Sequence, residues 1–227
     1  MPAVSTHELR FVATPDKGEV SAILDRPDNA RTLLVLGHGS GSHMRHPLVA
    51  GLSRALVEAG VATFRYQYPY SEKGGGGLDG RQVLLATVRQ AVDTAGREAP
   101  DLPLFAGGHS MSARMTSLAW AEVPLAQVCG LVFVAFPLNG GKGPTERAEH
   151  LRDVRAPLLF LQGSQDKLAD LDHVRAVCKK LGAQATLHVV DTADHGFKVL
   201  KRSGKTHEQV IEELAKTIAA WTVGVKS

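Results

Sequence analysis

The chain has 227 residues, a length that a single hydrophobic core can organise, so we expect residues 1–227 to form one domain. Hydrophobic residues make up 44% of the sequence and charged residues 22%, which excludes a disordered chain. The formal net charge is only +3 and the basic residues around Lys198 to Lys205 lack interleaved aromatic residues, so we expect no nucleic-acid partner.

The N-terminal residues and the two cysteines bear on the compartment in which we expect the protein. Residues 1–10 carry no basic stretch followed by an apolar run, and no window reaches the roughly 18 apolar residues that a membrane span needs. We therefore expect a cytoplasmic protein without a membrane partner. In a reducing compartment, Cys129 and Cys178 are expected to be buried free thiols rather than a disulfide.

Short β-type runs alternate with amphipathic segments along the chain, a pattern typical of a mostly parallel sheet flanked by helices. In chain order, the predicted elements are strands 7–13, 19–25 and 32–37, a helix near 48–59, strand 61–67, a helix near 84–95, strand 102–107, helix 110–122, strands 128–135 and 157–161, helix 168–181, strand 185–190, and a helix near 210–221. The turn-rich residues 14–18 predict that the first two strands form an antiparallel hairpin. Four glycines, Gly74 to Gly77, predict a mobile loop.

A serine follows strand 102–107 at a tight turn into a helix. The turn reads Gly108-His109-Ser110-Met111-Ser112, similar to the Gly-x-Ser-x-Gly nucleophile elbow, with Ser112 in place of the second glycine. A serine at a helix start is also an ordinary cap, so this motif alone does not decide for catalysis. His109, between the glycine and the serine, is expected to pack or to line the site.

A serine nucleophile needs a histidine base and an acid that orients this base. His195 follows strand 185–190, and Asp166 follows strand 157–161, in the order Ser, Asp, His. Asp191 and Asp194 are rival acids because they lie next to His195 in the sequence. We favour Asp166, because a side chain from a neighbouring strand end can face the imidazole more readily than its adjacent residue can.

The turn after strand 32–37 is rich in glycine and reads Gly37-His38-Gly39-Ser40-Gly41-Ser42. Its exposed amides are suited to stabilising the oxyanion of a tetrahedral intermediate. The predicted donors are the amides of Met111 and Ser40. His38, His43 and His46 have no nearby carboxylate or thiol at a familiar ligand spacing, so we predict no metal.

Together, the turn after Gly37, the Ser110 elbow, Gly163 to Asp166 and Asp194 to Phe197 resemble a small lidless alpha/beta-hydrolase of the dienelactone-hydrolase-like group. The stretches 41–47 and 108–114 are similar to a bacterial branch that resembles the hydrolase-like domain of a nonspecific-lethal chromatin complex subunit. Dienelactone hydrolases have a cysteine where this chain has Ser110. The resemblance implies an alpha/beta-hydrolase fold, no lid domain and no cofactor.

The resulting functional prediction is a serine hydrolase that cleaves small, water-soluble esters through an acyl-enzyme intermediate. One alternative is an inactive scaffold that kept the fold, and another is a peptidase or acyltransferase with the same triad. The sequence does not decide between a monomer and a homodimer. The predicted substrate contacts are Tyr68, Phe136, Leu138 and Arg114, the last either on a substrate carboxylate or in an internal salt bridge. Residues 136–153 contain several glycines and are too short for a lid, so we expect an open site.

Overall fold

A single eight-stranded sheet organises the chain in the computed structural model, which describes residues 2–74, 77–143 and 145–225. The strands are β1 (Val4–Thr14), β2 (Gly18–Pro27), β3 (Thr32–Gly37), β4 (Val61–Tyr66), β5 (Leu104–His109), β6 (Val128–Val134), β7 (Leu158–Gly163) and β8 (Ala185–Val190). Their spatial order is β1-β2-β4-β3-β5-β6-β7-β8. The first two strands form the predicted antiparallel hairpin, which joins β4 in antiparallel pairing, and β3 to β8 pair in parallel.

Helices cover both faces of this sheet, as the alternating pattern predicts. They are α1 (Pro47–Glu58), α2 (Pro69–Glu72), α3 (Arg81–Glu98), α4 (Met111–Glu122), α5 (Leu171–Leu181) and α6 (His207–Gly224). The apolar sides of α1 and α6 share one core with the sheet, and those of α3, α4 and α5 share the other. Among the helices of the described ranges, none is both long and apolar enough to cross a bilayer.

Buried apolar runs explain why the central strands form. Every residue of β3, β4 and β7 is buried, which is typical of parallel strands covered on both faces. Short 3₁₀ helices occur at Glu146–Asp153, Gly182–Gln184 and Lys201–Ser203. Cys129 and Cys178 are separate thiols, as predicted, but each is half-buried rather than fully buried.

The structure differs from the sequence-based elements at several ends. The stretch after β4 forms the short helix α2, an element that the sequence pattern does not predict, because Pro69 suits the first turn of a helix. Strand β5 begins at Leu104 and ends at His109, two residues later than predicted at each end. Helix α5 begins at Leu171, because the Asp170 side chain caps it through the amides of residues 172 and 173. Of the predicted glycine loop, Gly75 and Gly76 lie outside the described residues.

Candidate active site

Ser110 occupies a strained turn between β5 and α4. Its backbone has φ +52° and ψ −107°, a conformation that few non-glycine residues adopt. Its amide donates to the carbonyl of Val134 at 2.9 Å, which anchors the turn to β6. Gly108 has φ +149°, and a Cβ there would lie against the backbone of Gly37. The strain and this close packing of backbone are features of a nucleophile elbow, which raises the serine hydroxyl above the sheet edge.

The three predicted catalytic side chains lie in one hydrogen-bonded row. His195 Nε2 is 2.8 Å from Ser110 Oγ, and His195 Nδ1 is 2.8 Å from Asp166 Oδ2. A carboxylate can only accept, so Nδ1 carries the proton and Nε2 is free to accept the serine proton. The Asp166 side chain is fully buried, whereas the His195 side chain is 22% exposed. This arrangement can deprotonate Ser110 as it attacks a carbonyl.

Asp166 is held by two further donors. Gln162 Nε2 donates to Oδ2 at 2.5 Å, and the amide of Leu168 donates to Oδ1 at 2.7 Å. Gln162 lies inside β7, is fully buried, and was missed by the sequence reading. The signal that could have found it is a glutamine within an otherwise apolar buried strand, four residues before the candidate acid.

The rival carboxylates serve other partners. Asp194 Oδ1 accepts from the amides of Gly196 and Lys198, at 2.9 Å each, which closes the loop that carries His195. Asp191 accepts from the Ser164 hydroxyl at 3.0 Å. Among the described residues, neither Asp191 nor Asp194 forms a hydrogen bond with the His195 ring, so the geometry favours Asp166 as the orienting acid.

His109 supports the same loop from the elbow. Its Nε2 lies 3.0 Å from the carbonyl of His195, and the two ring centroids are 5.0 Å apart. Burial lowers the pKa of His109 to about 4. The ring is therefore neutral at physiological pH, and Nε2–H donates to the carbonyl. The prediction that His109 packs or lines the site agrees with this contact, in which the ring packs against the backbone of His195.

The predicted oxyanion donors, the amides of Met111 and Ser40, belong to two segments that contact Ser110. Met111 is the first residue of α4, so its amide lies at the positive end of the helix dipole. Gly39 precedes Ser40, and a Cβ at Gly39 would lie 3.7 Å from the Cβ of Ser110. Within residues 2–74, 77–143 and 145–225, neither the Met111 amide nor the Ser40 amide donates to a protein acceptor. Both amides are therefore available to a ligand.

Three of the four predicted substrate contacts must be corrected. Tyr68, Phe136 and Leu138 are at most 1% exposed, and they belong to the core beneath the site rather than to its wall. The Tyr68 hydroxyl is bonded to Tyr66 and Ser112, 3.1 and 3.0 Å away. Their side chains turn inward because they bury aromatic and apolar surface in the core that the sheet shares with α3 and α4.

Arg114, the fourth predicted contact, is half-buried one helical turn after Ser110. In the described part of the chain, no carboxylate lies within 4 Å of its guanidinium, so the internal salt bridge is not formed. Burial, then the charges of Arg147 and Arg81, lower the pKa of Arg114. Arginine nonetheless stays charged at neutral pH. This guanidinium is therefore partly desolvated and forms no ion pair with the described residues, although the more distant charge of Glu146 opposes the shift in its pKa.

Sequence comparison places these residues in a known context. A family model described as "Alpha/beta hydrolase domain" matches residues 30–223. The chain is also similar to monoglyceride lipase of Mus musculus, with 30% identity over 106 residues. That match covers 46% of this chain and 35% of the mouse enzyme, so the chain spans about a third of the length of that relative.

Solved structures with the same fold are numerous, and three illustrate the range. An alpha/beta serine hydrolase without a lid from Xanthomonas campestris aligns with a TM-score of 0.73 and 20% identity, over 96% of this chain and 95% of that one. Dienelactone hydrolase from Anabaena variabilis aligns at 0.73 and 19%, covering 98% and 99%. A cold-adapted esterase from an Arctic intertidal metagenomic library aligns at 0.69 and 18%, covering 99% and 95%. At these identities the likeness shows the fold alone. The similarity to the chromatin-complex domain stays a prediction.

Proposed function

The chain belongs to the alpha/beta-hydrolase family, and we propose that it is a serine esterase that cleaves small, water-soluble carboxylic esters. The observation that carries this proposal is the row Ser110 Oγ, His195 Nε2, His195 Nδ1 and Asp166 Oδ2, with 2.8 Å at both hydrogen bonds. A scaffold protein has no need of a buried carboxylate, an oriented imidazole and a strained serine in one row.

The proposed reaction has two halves. Ser110 attacks the ester carbonyl while His195 takes the serine proton, and the amides of Met111 and Ser40 stabilise the oxyanion. His195 then gives the proton to the leaving alcohol, which leaves an acyl-Ser110. Water, deprotonated by His195, attacks this ester, and His195 returns the proton to Ser110 Oγ as the acid is released. Asp166 keeps the proton on Nδ1 and stabilises the imidazolium in both halves.

We further propose a cytoplasmic setting, in which Cys129 and Cys178 stay reduced.

The size preference follows from the segment between β6 and β7. Its 3₁₀ helix, Glu146–Asp153, buries Ala148 and Leu151 in the core. This helix is therefore anchored to the body of the protein, and we propose that the segment leaves the site open. An open site binds short acyl groups better than long chains, which need an apolar groove.

Hydrolysis of nitrophenyl butyrate by purified protein tests this function. The wild type should release nitrophenol, and Ser110→Ala should lower kcat by about 10⁴-fold to 10⁶-fold, because triad members act as a unit. Ser53→Ala, which removes a buried hydroxyl of α1 that bonds to Thr63, is the matched control and should leave the rate unchanged. A Ser110→Ala protein that keeps a tenth of the activity would overturn the proposal.

Arg114 suggests that the preferred esters carry a carboxylate. We propose that its unpaired guanidinium binds this group, since charge-assisted pairs with carboxylates are strong when partly buried. Arg114→Gln should raise the KM of nitrophenyl hemisuccinate about tenfold, which corresponds to the loss of one charged hydrogen bond, and leave nitrophenyl butyrate nearly unchanged. Arg81→Gln is the control, because Arg81 is paired with Glu122 at 3.1 Å. Equal effects of Arg114→Gln on both esters would refute the contact.

A further inference from the structure

Two buried hydroxyls lie behind the turn that follows β3. We propose that Tyr70 and Ser112 are positioning residues that fix the orientation of the Ser40 amide by binding carbonyls of this turn. The inference rests on the proposed function, because it assigns these hydroxyls a purpose in stabilising the oxyanion. It also accounts for Ser112, the residue at which the chain departs from the Gly-x-Ser-x-Gly motif.

The peptide between Gly39 and Ser40 is held from its carbonyl side. The Gly39 carbonyl accepts from the Tyr70 hydroxyl at 3.3 Å and from His38 Nδ1 at 2.9 Å. The carbonyl and the amide of a trans peptide point in opposite directions. The Ser40 amide therefore points away from the Tyr70 hydroxyl, and a Cβ on the neighbouring Gly39 would lie 3.7 Å from the Cβ of Ser110.

Both donors keep their protons over the physiological range. Burial raises the pKa of Tyr70 to about 12, so the phenol stays protonated. Burial lowers the pKa of His38 to about 4, so the ring is neutral. A carbonyl cannot donate, so the His38 proton must lie on Nδ1. The carbonyl of Gly39 is thus saturated by two donors that do not titrate near neutral pH.

The preceding peptide is held by a chain of hydroxyls. Ser112 Oγ donates to the carbonyl of His38, which uses the only proton of this hydroxyl. Tyr68 must therefore donate to Ser112, and Tyr66 to Tyr68, at 3.0 and 3.1 Å. Every oxygen in this chain is buried. A glycine at position 112 would leave the carbonyl of His38 without this donor.

Consecutive carbonyls of the turn, those of His38 and Gly39, are therefore fixed by side chains of β4, α2 and α4. Oxyanion donors are effective because they are oriented before charge develops on the substrate. Without the hydroxyls, the two peptides could rotate and the Ser40 amide would lose its fixed direction. This effect should appear in the transition state and not in substrate binding.

Kinetics of Tyr70→Phe and Ser112→Ala, with Ser53→Ala as control, test the inference. Ser53→Ala removes an equally buried hydroxyl, which bonds to Thr63 and not to the turn. We expect Tyr70→Phe and Ser112→Ala to lower kcat by about 10-fold to 100-fold, below the loss for deletion of an oxyanion donor, with KM within about twofold. Their affinity for a trifluoromethyl ketone should fall by a similar factor, and Ser53→Ala should match the wild type. Equal kcat in all four proteins would overturn the inference.

A second readout does not depend on activity. The ¹H–¹⁵N resonance of the Ser40 amide should be sharp in the wild type and in Ser53→Ala, and broadened by exchange in Tyr70→Phe and Ser112→Ala. An unchanged Ser40 resonance in both variants would refute the positioning role. If the wild type hydrolysed no ester, the proposed function would fail, and this resonance would still decide whether the hydroxyls fix the turn.

Discussion

Replacement of Asp166 by Asn tests the assignment of the acid. Oδ2 accepts from His195 and Gln162, and Oδ1 accepts from the amide of Leu168, so three donors surround this carboxylate. Asparagine brings an NH₂ group into this set, and in either orientation it places a donor against a donor. The side chain is fully buried, so no water replaces the lost charge that stabilises the imidazolium. We expect kcat/KM to fall on the order of 10⁴-fold, about 5.5 kcal/mol of transition-state stabilisation.

Asp194→Asn provides the matched control. The Asn side chain keeps an oxygen for the amides of Gly196 and Lys198, so the loop that carries His195 should stay closed. We expect its kcat/KM to stay within about threefold of the wild type, which corresponds to less than about 0.7 kcal/mol. Both variants should be compared on nitrophenyl butyrate after their thermal unfolding midpoints have been checked. If Asp194→Asn were the more damaging change, the acid would be wrongly assigned.

Three further predictions follow from the site and the core. His195→Ala should lower kcat by about 10⁴-fold to 10⁶-fold on nitrophenyl butyrate, and a loss below tenfold would exclude it as the base. Among nitrophenyl esters, kcat/KM should be higher for acetate and butyrate than for palmitate, and a steady rise to long chains would reveal a groove. Burial lowers the pKa of His38, His109 and His150 to about 4, so the unfolded chain takes up these protons first as the pH falls. The contribution of these groups to the free energy of unfolding is therefore complete above pH ~6.5 and is lost as the pH falls towards ~4, by about 1.4 kcal/mol per pH unit for each group. When the free energy of unfolding is measured by urea titration at a series of pH values, His150→Gln should reduce its slope against pH by about 1.4 kcal/mol per pH unit. An unchanged slope would show that His150 does not contribute.

Much of the fold could be predicted because its signals are local. The strands at 32–37 and 185–190 have the predicted bounds, since each is a β-type run set between turn residues. The meeting of Ser110, Asp166 and His195 could also be predicted, because parallel strands bring their carboxyl ends to one sheet edge. The choice of Asp166 over Asp194 needed only the argument that adjacent loop residues face apart.

Other features depend on contacts between distant parts of the chain. The inward orientation of Phe136 and Leu138 depends on their place in the core that the sheet shares with α3, α4 and α5, which the sequence does not display. The hydrogen bond from His109 to the carbonyl of His195 joins residues 86 positions apart. The role of Ser112 likewise arises where the turn after β3 meets the start of α4, and it looks in the sequence like a simple loss of glycine.

The central claim is that Ser110 is a nucleophile activated by His195 and Asp166. Fluorophosphonate labelling followed by peptide mass spectrometry tests it most directly, because such probes react with serines that are activated in this way. We predict a single adduct, on Ser110, that disappears in Ser110→Ala and is strongly slowed in His195→Ala. A wild-type protein that stays unlabelled, or that carries the adduct on another serine, would contradict the account.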